Sequence, residues 1–190
     1  MAYIFEYLCN WLGKDFFMRK YRDGENSIFY DLGSGTGKAV MAMALFCPFR
    51  KLIGIEYLVS LWNLSMRSKI VYDKIIADKF IKFNGLFTIQ KTNSIDFYNG
   101  DFLRQKWSDA SVIFANSTCF NQDLMNKIGI KARKECKVDT IIITISKKLS
   151  SLNGDWESKE GFKRLMSWGV GTVYIYIRRK VTINKGDHIV

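Results

Sequence analysis

The chain has 190 residues, of which 48% are hydrophobic and 15% aromatic, enough apolar material for one large domain with a buried core. This composition, with a single proline, excludes a disordered, collagen-like or Pro-rich protein. The net charge of +11 is typical of proteins that meet nucleic acid or another polyanion, although a lysine-rich solvated surface explains it as well. Basic residues outnumber acidic ones by thirteen to six from Lys131 onward, so we expect any nucleic-acid contact to use the basic C-terminal part.

Cysteine spacing and hydropathy indicate the cellular compartment in which the protein works. Cys9, Cys47, Cys119 and Cys136 form no C-x-x-C pair, so neither a disulfide framework nor a zinc site is predicted. The single histidine, His188, argues against any metal site and against a cysteine nucleophile that needs a base. There is no secretory leader pattern, and no uncharged run approaches the roughly 20 residues of a membrane span. We expect an intracellular protein, in the nucleus or cytoplasm, with no membrane partner.

The first predicted element is an amphipathic helix from Ala2 to Met18. Apolar residues such as Ile4 and Leu8 fall on one face of that helix. We therefore treat residues 1–26 as an N-terminal helical extension and residues 27–190 as the main domain.

Strands and helices alternate along the rest of the chain. The predicted strands are Ser27–Leu32, Leu52–Glu56, Ile95–Asn99, Ser111–Ala115, Thr140–Ser146 and Thr172–Ile177. The predicted helices run from Lys38 to a stop at Pro48, over Leu58–Phe83, and over Gln122–Arg133 with Asn121 as the cap. Alternation of this kind indicates an α/β fold with a mainly parallel sheet and helices on both faces. Turn signals in Leu149–Gly171 favour a terminal antiparallel hairpin.

A glycine-rich loop, Asp31–Gly37, follows the first predicted strand, where open α/β sheets bind ligands. A phosphate loop is excluded, because Leu32 and Ala39 stand where that motif needs glycine and Ser or Thr. A dinucleotide fingerprint is weakened by Lys38 at its third glycine position but stays open, as does a glycine turn without ligand. An S-adenosylmethionine loop tolerates G-x-G-x-G after an acidic residue that takes the methionine ammonium, and Asp31 supplies that acid.

The ends of the following strands carry residues suited to a nucleoside and an amine. Glu56 can accept hydrogen bonds from both ribose hydroxyls, and Asp101 with Phe102 offers a carboxylate and a ring face to adenine. Asn116 can hold an amine by its carbonyl oxygen, and Phe120 can wall the pocket. The lack of an Asn-Pro-Pro-aromatic run argues against methylation of a nucleobase amino group.

Four segments then combine into a family resemblance. Phe29–Lys38, Ile53–Glu56, Gly100–Leu103 and Val112–Asn116 occur in order and at suitable spacing. Together they resemble the class I S-adenosylmethionine methyltransferases. More narrowly, they resemble the disruptor-of-telomeric-silencing family, histone lysine methyltransferases that lack a SET domain. Ser117–Cys119 stands where that family has a more apolar stretch.

The resemblance implies a Rossmann-like class I methyltransferase fold with S-adenosyl-L-methionine as cofactor. It also implies a protein substrate that carries a lysine, with a histone or nucleosome as candidates. The implied cofactor contacts are Asp31, Gly33, Ser34, Gly35, Lys38, Glu56, Asp101, Phe102 and Asn116. The implied catalytic residues around the lysine channel are Asn116, Phe120, Trp168 and Tyr174.

Alternatives remain beside protein-lysine methylation. The net charge also suits an RNA methyltransferase, although no base-reading motif is recognised. A non-catalytic S-adenosylmethionine-binding module would share the fold, and a nicotinamide oxidoreductase is a further alternative.

Overall fold

A computed structural model of the chain describes residues 2–13, 27–47, 49–77, 82–83, 87–88, 94–152, 154–166 and 169–180. Its strands are β1 (Ile28–Leu32), β2 (Lys51–Glu56), β3 (Lys82–Phe83), β4 (Phe87–Thr88), β5 (Ser94–Asn99), β6 (Val112–Ala115), β7 (Ile141–Ile145), β8 (Trp156–Met166) and β9 (Gly169–Arg178). Its helices are α1 (Ala2–Leu12), α2 (Lys38–Phe46), α3 (Val59–Ala77) and α4 (Gln122–Glu135), with one 3-10 turn over Ser117–Cys119.

Seven of these strands form one sheet in the order β5-β2-β1-β6-β7-β9-β8. The five strands from β5 to β7 in that order are parallel. The inner strands β1, β6 and β7 are buried along nearly their whole length, as is typical of strands covered on both faces, whereas burial alternates along the outer strand β5. β9 runs antiparallel to β7 and pairs with β8 in a hairpin. The predicted mainly parallel sheet and terminal antiparallel hairpin are therefore confirmed.

Helices cover both faces of the sheet, as predicted. On one face, α1 and α2 pack on strand residues such as Phe29 and Leu52. On the other face, α4 packs through Met125, Ile128 and Ala132. α4 is well specified locally, because the Asn121 side chain accepts the Leu124 N–H at 2.8 Å, as the predicted cap requires. This arrangement leaves the carboxyl ends of the parallel strands together at one edge of the sheet.

α1 is shorter than the predicted helix from Ala2 to Met18. It ends at Leu12, because Gly13 adopts a left-handed φ of 83°, the conformation with which glycine commonly ends helices. Residues 14–26 lie outside the described part of the chain. The helix packs on the sheet, with the ring of Tyr7 stacked on that of Phe162 in β8 at 4.4 Å.

The predicted helix over Leu58–Phe83 is wrong at its C-terminal end. α3 stops at Ala77, and Lys82–Phe83 instead pairs with Phe87–Thr88 in a short antiparallel ladder. Phenylalanine favours strands over helices, and each of these two short strands contains one. Among the described helices, none has the length and apolar character needed to cross a membrane.

Candidate functional site

The predicted site residues follow the carboxyl ends of four parallel strands. Asp31 is the penultimate residue of β1, and Glu56 is the last residue of β2. Asp101 comes two residues after β5, and Asn116 directly follows β6. Direct strand pairing joins β5, β2, β1 and β6 side by side, so these positions lie along one edge of the sheet. The topology therefore brings together residues that are up to 85 positions apart in the sequence.

The glycine loop folds back on β2. The N–H groups of Gly33 and Ser34 both donate to the Ile55 carbonyl oxygen, at 2.9 and 3.1 Å. Gly33 has a φ of 77°, and a Cβ placed there would lie 2.9 Å from Cζ of Phe120. Glycine is therefore required at this position both for the backbone conformation and for the contact with the Phe120 ring.

Glu56 is held in place by backbone donors on two sides. Its Oε2 accepts the N–H of Gly35 and its Oε1 accepts the N–H of Leu58, each at 2.8 Å. The residue is only 7% exposed. Each carboxylate oxygen can accept a second hydrogen bond, so Glu56 retains acceptor capacity for the hydroxyl groups of a ligand.

Asp31 is the most deeply buried acid of the site, at 2% exposed. Burial, together with the negative charge of Glu56, raises the pKa of Asp31 to about 8. Two buried carboxyl groups of like charge favour binding of a cation, which would restore ionisation of Asp31. The arrangement can therefore accept an ammonium group beside a hydroxyl-bearing group.

Ser34 contributes a hydroxyl group without a partner. Its Oγ is buried and makes no hydrogen bond to any described residue. Gly54 on β2 allows this close packing, because a Cβ there would lie 2.8 Å from Ser34 Oγ. A buried hydroxyl without a partner costs free energy, and a polar ligand seated on the loop would remove that cost.

Asp101 and Phe102 form the corner after β5. Asp101 Oδ1 accepts the Leu103 N–H at 2.8 Å, and Asp101 Oδ2 lies 3.8 Å from Nε of Arg104. Phe102 is 8% exposed, and its carbonyl oxygen accepts the indole N–H of Trp107 at 2.9 Å. The corner thus places an acid beside an aromatic ring, a pair that could hold the edge and the face of a base.

Asn116 is exposed and lies at the start of the 3-10 turn. Its Oδ1 accepts the Thr118 hydroxyl at 2.9 Å, and Thr118 Oγ1 lies 3.0 Å from Oγ of Ser146. Phe120, at the end of the turn, is half-buried and packs 5.8 Å from the Phe102 ring, centroid to centroid. Phe120 therefore contacts both the glycine loop and the Asp101 corner.

The remaining predicted residues differ in how closely they approach this edge. Tyr174 is half-buried on β9, opposite Thr144 of β7, with its ring over Gly161. Lys38 begins α2 and is exposed. Trp168 lies outside the described residues, so its predicted place in the lysine channel stays a prediction. Within the described ranges, no cluster of three His, Cys, Asp or Glu side chains is arranged to hold a metal ion.

Sequence reasoning missed two features of this edge. Tyr57 and Leu58, directly after Glu56, are 71% and 54% exposed and present apolar side chains beside the buried acid. Because they directly follow Glu56, the sequence alone could have indicated that they belong to the site. The Thr118–Ser146 contact is the second feature, and no local pattern announces it, because the two residues are 28 positions apart.

Comparisons with known proteins agree with this geometry. Residues 5–168 match the family described as "Histone methylation protein DOT1". A curated relative from Caenorhabditis elegans, "Histone-lysine N-methyltransferase, H3 lysine-79 specific", is 31% identical over 126 residues. That match covers 64% of this chain and 12% of the relative, so the chain spans a small part of the relative's length.

Solved structures support the fold. An RNA methyltransferase from Salinibacter ruber in complex with S-adenosyl-L-homocysteine has a TM-score of 0.59 and 19% identity, covering 90% of this chain and 93% of that chain. TrmN from Thermus thermophilus has a TM-score of 0.59 and 10% identity, covering 80% of this chain and 43% of that chain. These likenesses confirm the Rossmann-like methyltransferase fold. The family match runs from α1 to beyond the end of β8, and the chain therefore belongs to the DOT1 histone methylation family.

Proposed function

We propose that the chain is an S-adenosylmethionine-dependent protein-lysine N-methyltransferase with a histone as its substrate. The observation that carries this proposal is the pair of buried acids, Asp31 and Glu56, on a glycine loop whose Ser34 hydroxyl has no partner among the described residues. Family membership makes methyl transfer the reaction that such a site would serve.

The donor set fits this cofactor. Asp31 would hold the methionine ammonium, because a cation beside it favours its ionised form and offsets the negative charge of Glu56. Glu56 would accept the ribose hydroxyls with its remaining lone pairs, while Gly35 and Leu58 keep it in place. Asp101 and Phe102 would hold the adenine edge and face. Gly33, Gly35 and Lys38 would lie along the methionine part.

Asn116, Phe120 and Tyr174 would act on the incoming amine. When bound, the cofactor supplies a methyl group already activated by its sulfonium, so the protein needs no group to activate it. A lysine amine has a pKa near 10.4 and must be neutral to react, and an apolar channel favours the neutral form. Phe120 would exclude water, while Asn116 would accept an amine N–H and thereby orient the nitrogen lone pair.

The substrate class follows from the relatives. The curated relative from Caenorhabditis elegans is described as specific for lysine 79 of histone H3. A histone or nucleosome substrate would meet a chain with a net charge of +11, which suits the nucleic acid and acidic surfaces of a nucleosome. We therefore propose an intracellular protein that acts in the nucleus, with nucleic-acid contact through the basic residues after Lys131.

Two measurements test the proposal. Titration calorimetry with S-adenosylmethionine and, separately, with NAD should give binding of the first only, and Asp101→Ala should weaken that binding at least about tenfold, or roughly 1.4 kcal/mol. Transfer of a radiolabelled methyl group should then be measured on nucleosomes, free histones, total protein and RNA. Label on histone lysine is the expected result, whereas absence of S-adenosylmethionine binding would overturn the assignment.

RNA methylation is the second candidate. The basic charge favours it, and the Salinibacter ruber structure of the same fold is described as an RNA methyltransferase. Label on RNA and not on protein in the same experiment would select this function.

A further inference from the structure

The hydroxyl groups of Thr118 and Ser146 form a chain behind the Asn116 side chain. Thr118 Oγ1 lies 2.9 Å from Asn116 Oδ1 and 3.0 Å from Ser146 Oγ. Both distances are ordinary for hydroxyl hydrogen bonds. The chain joins the loop after β6 to the residue after β7, at the half of the edge where an amine would enter.

The number of available protons fixes the direction of these hydrogen bonds. A carboxamide oxygen can only accept, so the single hydroxyl proton of Thr118 is used in donating to Asn116 Oδ1. The proton between the two hydroxyls must then come from Ser146. Ser146 donates to Thr118, Thr118 donates to Asn116, and one lone pair of Oδ1 remains for a further donor.

The unfavourable backbone conformation of Ser146 suggests a functional reason for a side chain at this position. Ser146 adopts a φ of 74°, a left-handed conformation that is unfavourable for residues other than glycine. Its N–H donates to the Thr172 carbonyl oxygen at 2.7 Å, which fixes that conformation against β9. Glycine would satisfy the backbone better, but it would remove the hydroxyl that reaches Thr118.

The 3-10 turn has an anchor of its own that does not involve this chain. The buried hydroxyl of Ser117 donates to the Ile145 carbonyl oxygen at 2.6 Å. Lys147 Nζ also donates to the Phe120 carbonyl oxygen. Loss of the Thr118 or Ser146 hydroxyl should therefore leave the turn in place and free only the Asn116 carboxamide.

We infer that Thr118 and Ser146 are positioning residues, which hold the Asn116 carboxamide so that Oδ1 presents its free lone pair to the substrate amine. This inference rests on the proposed methyl transfer to an amine. Its chemical basis is that the amine donates one N–H to Oδ1 and so keeps its lone pair directed at the methyl group. Cys119, between Thr118 and Phe120, takes no part in the chain.

The test compares four variants of the full chain. Thr118→Val keeps the side-chain shape without the hydroxyl, Thr118→Ser keeps the hydroxyl, and Ser146→Gly removes the hydroxyl while suiting the backbone. Thr118→Val with Ser146→Gly completes a double-mutant cycle. Ser150→Gly, at an exposed position nearby, is the matched control. The readouts are kcat, the KM for each substrate, the Kd for S-adenosylmethionine, and the side-chain NH2 resonances of Asn116, assigned by their loss in Asn116→Asp.

Thr118→Val should lower kcat about tenfold, the size of one neutral hydrogen bond, and change the Kd for the cofactor less than about twofold. Thr118→Ser should restore kcat. The single variant Ser146→Gly should lower kcat. In the double variant, Ser146→Gly should not lower kcat below the value for Thr118→Val. The Asn116 NH2 resonances should shift in both single variants and not in Ser150→Gly.

Two results would overturn the inference: unchanged Asn116 resonances in Thr118→Val, or additive effects in the double variant. The resonances decide the positioning role even if no substrate accepts a methyl group. In that case the proposed function fails separately, on the radiolabel assay.

Discussion

The edge of the sheet that carries the candidate site has two halves that are built on different physical principles. The glycine-loop half, at the ends of β1, β2 and β5, consists of buried acids and backbone N–H groups, with Asp31 and Glu56 nearly inaccessible to solvent. The asparagine-loop half, at the ends of β6 and β7, consists of exposed or half-buried hydroxyl and amide groups such as Asn116, Thr118 and Ser146. In the first half backbone N–H groups hold the acid side chain of Glu56, whereas in the second half the Asn116 side chain is held by the hydroxyl of Thr118.

This difference has an energetic consequence. A buried carboxylate that loses a partner leaves charged or polar atoms unsatisfied, so few substitutions are tolerated in the glycine-loop half. Exposed hydroxyl groups can return to water when a partner is lost, so the asparagine-loop half can change with little cost to folding. We therefore expect substitutions in the first half to affect stability and cofactor affinity together, and those in the second half to affect turnover alone.

The largest effect is expected from the pH dependence of Asp31. Its folded pKa of about 8 lies above its ordinary value of 3.8, so between these values the folded cofactor-free chain binds more protons than the unfolded chain. Asp31 therefore stabilises the fold fully below pH 4, and this contribution is lost as the pH rises towards 8. The slope can reach about 1.4 kcal/mol per pH unit.

Asp31→Asn should remove that slope, so the variant should be more stable than the wild type at pH 8 but bind the cofactor more weakly. Urea unfolding from pH 5 to pH 8 measures the stability, with Asp123→Asn as a control because that carboxylate is 69% exposed. Calorimetry in buffers of different ionisation enthalpy should also detect proton release on cofactor binding at pH 7. Equal pH slopes for Asp31→Asn and the wild type would contradict this account.

Glu56→Gln should have the next largest effect. Glutamine keeps the shape but has one acceptor oxygen, so one of the two backbone N–H groups, of Gly35 or Leu58, loses its partner. The expected cost is about 1–3 kcal/mol of stability and at least a tenfold loss of cofactor affinity. Denaturant unfolding and calorimetry measure the two quantities.

The control for this change is Glu160→Gln, at an exposed position on β8. It should leave both quantities near the wild-type values. A loss of affinity in Glu56→Gln without any loss of stability would mean that the two backbone contacts contribute nothing to folding.

A pair of alanine substitutions separates backbone strain from packing inside the glycine-loop half. Gly33→Ala meets both a φ of 77° and the Phe120 ring at 2.9 Å, so it should cost about 2 kcal/mol. Gly35→Ala meets a φ of 55° but no atom within 4 Å, so it should cost about 1 kcal/mol. Thermal unfolding compares the two variants.

The rate of methyl transfer should also differ between Gly33→Ala and Gly35→Ala. Only Gly33→Ala displaces Phe120, which links the two halves, so it alone should lower kcat beyond its effect on cofactor binding. Equal kcat values for the two variants would show that the Phe120 ring accommodates the added methyl group.

The same contrast explains what could be predicted from the sequence. The glycine-loop half depends on signals that are local, since Asp31 and the glycines are consecutive and Glu56 ends the next predicted strand. Alternating apolar segments likewise predicted the mainly parallel sheet, and turn signals in Leu149–Gly171 predicted the terminal hairpin. The end of α1 could also have been predicted, because Gly13 is a usual helix stop.

The asparagine-loop half could not be predicted in the same detail. The contact between Thr118 and Ser146 exists because β6 and β7 are neighbours in a register that pairs Ala115 with Thr144, and no local pattern encodes that register. The end of α3 was mispredicted for a different reason. Phe83 and Phe87 pair in a local antiparallel ladder, and phenylalanine favours strands over helices, so this signal was present in the sequence.

The smallest effect is expected from Cys119→Ser, and it tests the nature of the asparagine-loop half. Cys119 is exposed within the 3-10 turn, and the sequence contains a single histidine, His188, to serve as an imidazole base. If this half only orients an amine, serine should keep the methyl-transfer rate within about twofold, because exposed substitutions of similar size change little. A tenfold or larger loss would contradict this expectation, because it would show that the thiol takes part in the reaction. The asparagine-loop half would then contain a solvent-exposed thiol with a part in turnover, beside the hydroxyl and amide groups that orient the amine.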